Sequence, residues 1–107
     1  MPQDLALMTV LDAPDQGSGI QELTGLEHAT NLTMLYLSNN QISDLSPLAS
    51  LTNLTWLRLV SNQISDLSPL ASLTNLTYLD LDDNPLSQES VHVHVPNLEA
   101  RGVDVEL

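Results

Sequence analysis

Residues Asn31 to Thr52 read NLTMLYLSNNQISDLSPLASLT, and Asn53 to Thr74 read NLTWLRLVSNQISDLSPLASLT. These are two consecutive blocks of 22 residues with 18 identical positions. The four that differ are Met34/Trp56, Tyr36/Arg58, Ser38/Val60 and Asn39/Ser61. A period in this range marks an array of stacked units, so periodicity outranks any residue-by-residue reading. The frame LxxLxLxxNxI fits Leu32, Leu35, Leu37, Asn40 and Ile42, then Leu54, Leu57, Leu59, Asn62 and Ile64, and again Leu76, Leu79, Leu81, Asn84 and Leu86. A degenerate copy precedes these: Met8, Leu11 and Ala13 match Leu32, Leu35 and Leu37, while Ile20, Leu23 and Leu26 match Ile42, Leu45 and Leu48. Its PDQGSG stretch, Pro14 to Gly19, is longer and lacks the Asn. A looser turn is expected there.

In each unit the LxL pair alternates with period 2, the mark of a half-buried strand. One short strand cannot cover its own leucines, so units stack and the leucines form columns. Asn40, Asn62 and Asn84 follow each strand, where a buried amide can satisfy loop backbone groups that have no ladder partner. SDLSPLASL (Ser43–Leu51, Ser65–Leu73) supplies the return. Asp44 and Asp66 are placed to cap a turn, and Pro47 and Pro69 fit a first helical turn that needs no N–H. Leu45, Leu48 and Leu51 recur every three residues, which predicts a 3₁₀-like return. After Asn84 the pattern changes. Ser87 is expected to cap a helix running towards His94, which Pro96 ends, and Gly102 closes a second short turn. Val91, Val93 and Val95 alternate with His92 and His94, which leaves a strand as the competing reading. Val103 and Val105 are matched to Leu79 and Leu81 in a final strand.

This frame resembles the leucine-rich repeat family, and the 22-residue unit with NQISDLSPLASLTNLT is most similar to its bacterial SDS22-like and internalin-like branch. The resemblance covers nearly the whole chain. It implies an α/β solenoid with a short parallel concave sheet of about five strands, 3₁₀ or irregular convex returns and a C-terminal helical cap. Residues 1–107 then form a single domain: 5–30 a degenerate first repeat, 31–52 and 53–74 near-identical repeats, 75–107 the last repeat and cap. It also implies protein recognition rather than catalysis. Internalin-like domains usually begin with a capping helix, and this chain has few residues before its first strand. The first strand is therefore read as a bare edge, a place for self-association.

Side chains alternate across a strand, so the four varied positions of each repeat are read as pointing out along the concave sheet. The scaffold is copied and only the outward face changes. The face carries three columns: Val10, Met34, Trp56, Tyr78; Asp12, Tyr36, Arg58, Asp80; and Pro14, Ser38, Val60, Asp82. All three aromatic residues of the chain lie on it. Tyr, Trp, Met and Arg are enriched at interface centres. Met34, Tyr36, Trp56, Arg58, Val60, Tyr78, Asp80 and Asp82 are the expected partner-binding residues. A structural alternative is that the aromatics only stabilise the sheet as cross-strand pairs. The runner-up functions are a structural or self-associating repeat scaffold or fragment without a dedicated ligand, pairing through the first edge or the concave face, and weak binding of Ca²⁺ or another metal at the acidic concave rim.

The charge balance narrows the partner. Fourteen acidic residues face two basic ones, Arg58 and Arg101, for a net charge of −12. Nucleic acid and anionic membrane surfaces need clustered Lys/Arg, so neither is expected, and a basic protein or peptide is favoured. With no cysteine there is neither a disulfide nor a thiolate metal site, and the compartment stays open. MPQDLALMTV has no basic segment and no long apolar run, so neither a signal peptide nor a membrane span is read there. DLDDN (Asp80–Asn84) offers hard oxygen ligands but lacks the length and Gly of an EF-hand. His92 and His94, with His28, are candidates to bind a transition metal or hold a proton, but the pair shares a face only on a strand and diverges on a helix. No GxSxG, HExxH, P-loop or GxGxxG occurs, and no cofactor is expected. Asp12 and Asp80 lie three strands apart, about 14 Å, too far for a glycosidase pair.

Overall fold

The computed structural model describes residues 9–12 and 22–107. Five three-residue strands, β1 (Val10–Asp12), β2 (Met34–Tyr36), β3 (Trp56–Arg58), β4 (Tyr78–Asp80) and β5 (Asp104–Glu106), form one sheet in the order of the chain. All neighbours are parallel, and the central leucines fall in register: Leu11 with Leu35, Leu35 with Leu57, Leu57 with Leu79. Behind the sheet, Leu32, Leu54 and Leu76, Leu37, Leu59 and Leu81, Ile42 and Ile64, Leu45 and Leu67, Leu48 and Leu70, and Leu51 and Leu73 stack as buried columns. Burying one such side chain contributes about 1.5–3 kcal/mol. No single coil can do this alone, so stability grows with each neighbour added.

Polar side chains copy the same period at the corners. Thr33, Thr55 and Thr77 each donate Oγ1 to the carbonyl of the threonine one unit back: Thr9 at 3.1 Å, Thr33 at 3.1 Å and Thr55 at 2.9 Å. Asn53 and Asn75 reach Thr30 and Thr52 carbonyls in the same way. The asparagine behind the sheet does more. Asn62 Nδ2 donates to the Leu37 and Leu59 carbonyls, each at 3.0 Å, and its Oδ1 accepts from the Ile42 N–H at 3.1 Å. Asn84 repeats the arrangement towards Leu59, Leu81 and Ile64. One amide thus satisfies the exit of its own strand, the exit of the previous one and the start of the previous return. The residue before each asparagine, Asn39, Ser61 or Asp83, turns the chain with φ near +60°, a conformation that Asn and Asp tolerate better than most.

The returns are 3₁₀ turns at Ser46–Leu48 and Ser68–Ser72, as the triplet spacing predicts. Asp44 and Asp66 stand just before the N-cap residues Leu45 and Leu67, each accepting the N–H of the serine two residues on at 2.9 Å. These bonds hold both carboxyls below the usual carboxylate range. Leu23 and Leu26 are buried below the first described return. The PDQGSG turn, the residues before Thr9 and the bare-edge reading that depends on them lie outside the described residues.

The C-terminal cap departs from expectation in two places. A helical stretch does start after Ser87, whose Oγ accepts the Ser90 N–H at 3.1 Å. It does not end at Pro96. A π-helical segment, Ser90–His94, leads directly into α1 (Val95–Ala100) with the proline inside its first turn. Proline has no N–H to donate, and its ring clashes with the carbonyl four residues earlier. The wider π turn relieves that conflict. Inside the segment the Ser90 side chain is fully buried, and its hydroxyl donates to the Ser65 carbonyl at 2.7 Å and accepts the Leu67 N–H at 3.0 Å. The strand alternative for Val91–Val95 is thereby set aside. The second correction is register: Val105, not Val103, lies opposite Leu79. The slip is two residues, an even number, so the same side chains still face the core. Val103 is buried instead as the end of the cap. Its N–H bonds the Leu98 carbonyl and the Gly102 N–H bonds that of Glu99, a Schellman close with Gly102 at φ +94°.

Two stability predictions follow from these contacts. Asn62→Ala strands buried N–H and carbonyl groups and is expected to cost about 3 kcal/mol by urea unfolding, against about 1 kcal/mol or less for exposed Asn75→Ala. Gly102→Ala meets no atom within 4 Å of the added Cβ, so its cost is the backbone alone, about 1–2 kcal/mol, with Gly102→Asn recovering part of it.

Candidate functional site: the concave sheet face

Two columns of side chains stand on the outer face of the sheet, as parity requires. The first runs Val10, Met34, Trp56, Tyr78, Asp104, and the second Asp12, Tyr36, Arg58, Asp80, Glu106. In the first column Trp56 and Tyr78 stack with ring centroids 4.1 Å apart and planes inclined by 25°. Met34 is 38% exposed and Val10 49% exposed, so the apolar band continues open towards β1. The Tyr36 hydroxyl approaches the Met34 sulfur at 3.7 Å. Among the described residues the Trp56 indole N–H is covered and finds no hydrogen-bond partner. The tryptophan is thus held on the sheet by stacking and not by its polar atom.

The second column is charged. Arg58 reaches Asp80 at 3.6 Å. Asp80 also accepts from the Tyr78 hydroxyl at 3.3 Å and from the Asp82 N–H at 3.2 Å. With only 5% of its surface exposed, Asp80 organises the face from beneath: it fixes the Tyr78 ring and the Arg58 guanidinium together. The tyrosine phenol is pushed above its usual value, first by desolvation and then by the neighbouring Asp80 carboxylate.

Of the eight residues singled out from sequence, Met34, Tyr36, Trp56, Arg58, Tyr78 and Asp80 therefore stand on one continuous face. Val60 and Asp82 follow the ends of β3 and β4 and are half-buried. The eighth position of the repeat answers to a different constraint: Asn39, Ser61 and Asp83 all adopt left-handed backbone, so the choice of residue there serves the turn. The Asn/Ser/Asp series carried that signal in the sequence. Asp104 and Glu106 were missed, because their place on the face depends on the register of β5.

Other chemistry finds less support in the geometry. Among the described residues no three His, Asp or Glu side chains converge as metal ligands. The Asp80 carboxylate is already engaged by Tyr78 and Asp82, and His92 and His94 lie on the π-helical segment. No described helix is long and apolar enough to cross a membrane. One cavity of about 170 Å³ lies between the second return and α1, lined by Leu67, Ala71, His94, Asn97, Leu98 and Arg101, with the Arg101 guanidinium donating to the Ala71 carbonyl at 2.7 Å.

The Tyr78–Asp80 contact can be read directly. In a Tyr36→Phe background, absorbance titration of the remaining tyrosine is expected to give a midpoint above about 10, the ordinary phenol value. Adding Asp80→Asn is expected to lower that midpoint. A midpoint indifferent to Asp80 would show that the two groups do not interact.

The leucine-rich repeat family described as "Leucine Rich repeats (2 copies)" matches residues 30–59 and 52–92. Comparison with curated proteins gave no match. Among solved structures, an internalin (InlF) of Listeria monocytogenes superposes over the whole chain with a TM-score of 0.84 and 34% identity, the chain covering 30% of that protein. An internalin C2 (InlC2) of the same organism matches 91% of the chain with a TM-score of 0.72 and 40% identity, and 43% of that protein is covered. A leucine-rich repeat protein of Leptospira interrogans shares the fold, with 24% identity over 83% of the chain, 29% of its own length and a TM-score of 0.56. The chain thus spans less than half the length of these structures. Its parallel sheet, 3₁₀ returns and helical cap are those of this group, and the chain belongs to the leucine-rich repeat family as an internalin-like member.

Proposed function

We propose that this chain is a protein-recognition module that binds its partner on the concave sheet face, with Trp56 and Tyr78 as the central anchor and Met34, Tyr36 and Arg58 around them. The observation that carries this reading is the Trp56–Tyr78 stack at 4.1 Å in an open apolar band. In the two copied repeats, three of the four substitutions fall on side chains of this face or its rim. Membership of a family of binding scaffolds supports the same reading. A stabilising role as a cross-strand pair accounts for the stack alone; it does not account for the open continuation through Met34 and Val10. Catalysis has no support in the arrangement, whose one close ion pair ties Asp80 to Arg58. The carboxylates at the edge of the face favour a basic partner.

The test uses a displayed library of random 12-residue peptides selected on the immobilised chain. Trp56 is the only tryptophan, so its emission reports contact directly. Selected peptides are expected to shift that emission. They are also expected to lose about 30-fold in affinity on Trp56→Ala, the effect of a hot-spot residue contributing about 2 kcal/mol. Peptides that bind without touching the emission and are indifferent to Trp56→Ala and Tyr78→Ala would place recognition elsewhere.

A further inference from the structure

The register of β5 divides the concave face by charge. Towards β1 and β2 it is mainly apolar: Val10, Met34 and Tyr36 lead into the Trp56–Tyr78 stack, with Asp12 the one described carboxylate at that end. Towards β4 and β5 it is acidic. Asp104 stands beside Tyr78, Glu106 beside Asp80, and Asp82 and Asp83 follow the end of β4. Among the described residues the only cation on the face, Arg58, is taken by Asp80 at 3.6 Å. Asp104, Glu106 and Asp83 are exposed and Asp82 is half-exposed, and none has a cationic partner among the described residues. A partner that covers the aromatic stack must come close to these carboxylates. Covering them without a counter-charge would leave buried charge uncompensated, a cost of several kcal/mol.

We infer that the occupant of this face is a two-part segment: an aliphatic or aromatic side chain seated on Met34, Trp56 and Tyr78, followed by a lysine or arginine over the Asp82, Asp104 and Glu106 end of the sheet. The inference rests on the concave-face reading above and adds the partner's chemistry and its direction across the strands. The spacing is set by the sheet. Neighbouring strands are about 4.8 Å apart, so the acidic end lies about 5–10 Å from the stack. An extended segment spans this in two residues, and a helix in one turn, three or four residues. The segment lies across the strands, its apolar end over β2 to β4 and its basic end over the β4–β5 edge. Its charge contribution is rim-exposed, so it acts mainly on association rate and is screened by salt.

Selection from the same displayed peptide library supplies the test, with affinities measured on wild type, on Trp56→Ala and on the triple variant Asp82→Asn, Asp104→Asn, Glu106→Gln. The triple variant removes three charges but no described side-chain hydrogen bond, and its melting curve checks the fold. The expected result is enrichment of Lys or Arg two, three or four residues from an apolar side chain. Affinity should fall about tenfold on the triple variant, with a shallower dependence on salt, and at least as far on Trp56→Ala. Peptides lost on Trp56→Ala but without basic enrichment, and indifferent to the triple variant, would overturn this inference and leave the concave-face reading standing. Basic peptides lost on the triple variant but indifferent to Trp56→Ala would overturn both, since diffuse attraction to an acidic protein would explain them. A library that yields no binder above a blank surface would also overturn both.

Discussion

The buried amide of Asn62 is the contact on which the repeat depends. It holds the Leu37 and Leu59 carbonyls and the Ile42 N–H at once, and so ties two successive coils at the point where each leaves the sheet. A three-residue strand has few ladder bonds of its own, and the groups just beyond it would otherwise be buried without partners. Replacing the amide by any apolar side chain of similar size fills the space but leaves those groups stranded. The leucine columns supply most of the favourable free energy, yet they are non-directional. The asparagine and threonine ladders fix the rise and register of one coil on the next.

That division of labour explains the pattern of identity between the two copied units. Many scaffold residues bond or pack against the neighbouring coil, as Thr55 does on Thr33 and Leu57 on Leu35. A change in one copy therefore disturbs two interfaces, and identical solutions repeat. The side chains facing outward from β2 and β3 have no such obligation. They are where Met34 gives way to Trp56 and Tyr36 to Arg58, and where the Trp56–Tyr78 stack and the Arg58–Asp80 ion pair appear. That face is the part of the solenoid that need not repeat.

Asp80 shows how a residue can belong to that face and still not be presented by it. Alternation places it outward, and the neighbouring strands then bury it: Arg58 from β3, the Tyr78 hydroxyl beside it, and the backbone of Asp82 close around its oxygens. Its role is to set the angle of the aromatic and basic groups that remain exposed. Two of the carboxylates that do remain open, Asp104 and Glu106, come from the C-terminal cap, which also seals the end of the leucine columns through Val95, Leu98 and Val103. One segment thus closes the core and supplies charge to the face.

The sequence by itself determined the coil, its period, the leucine columns, the asparagine ladder, the 3₁₀ returns and which side chains leave the sheet. Each of these follows from spacing within or between copies, and spacing is conserved on folding. The tertiary structure alone decided the rest. The passage through Pro96 as a π turn and the two-residue slip that sets Val105 opposite Leu79 each depend on how a coil meets its neighbour. So does the burial of Asp80 against the exposure of Asp104. The sequence contains one copy of the cap and no second to compare it with, so its register is fixed only by packing against the repeat before it.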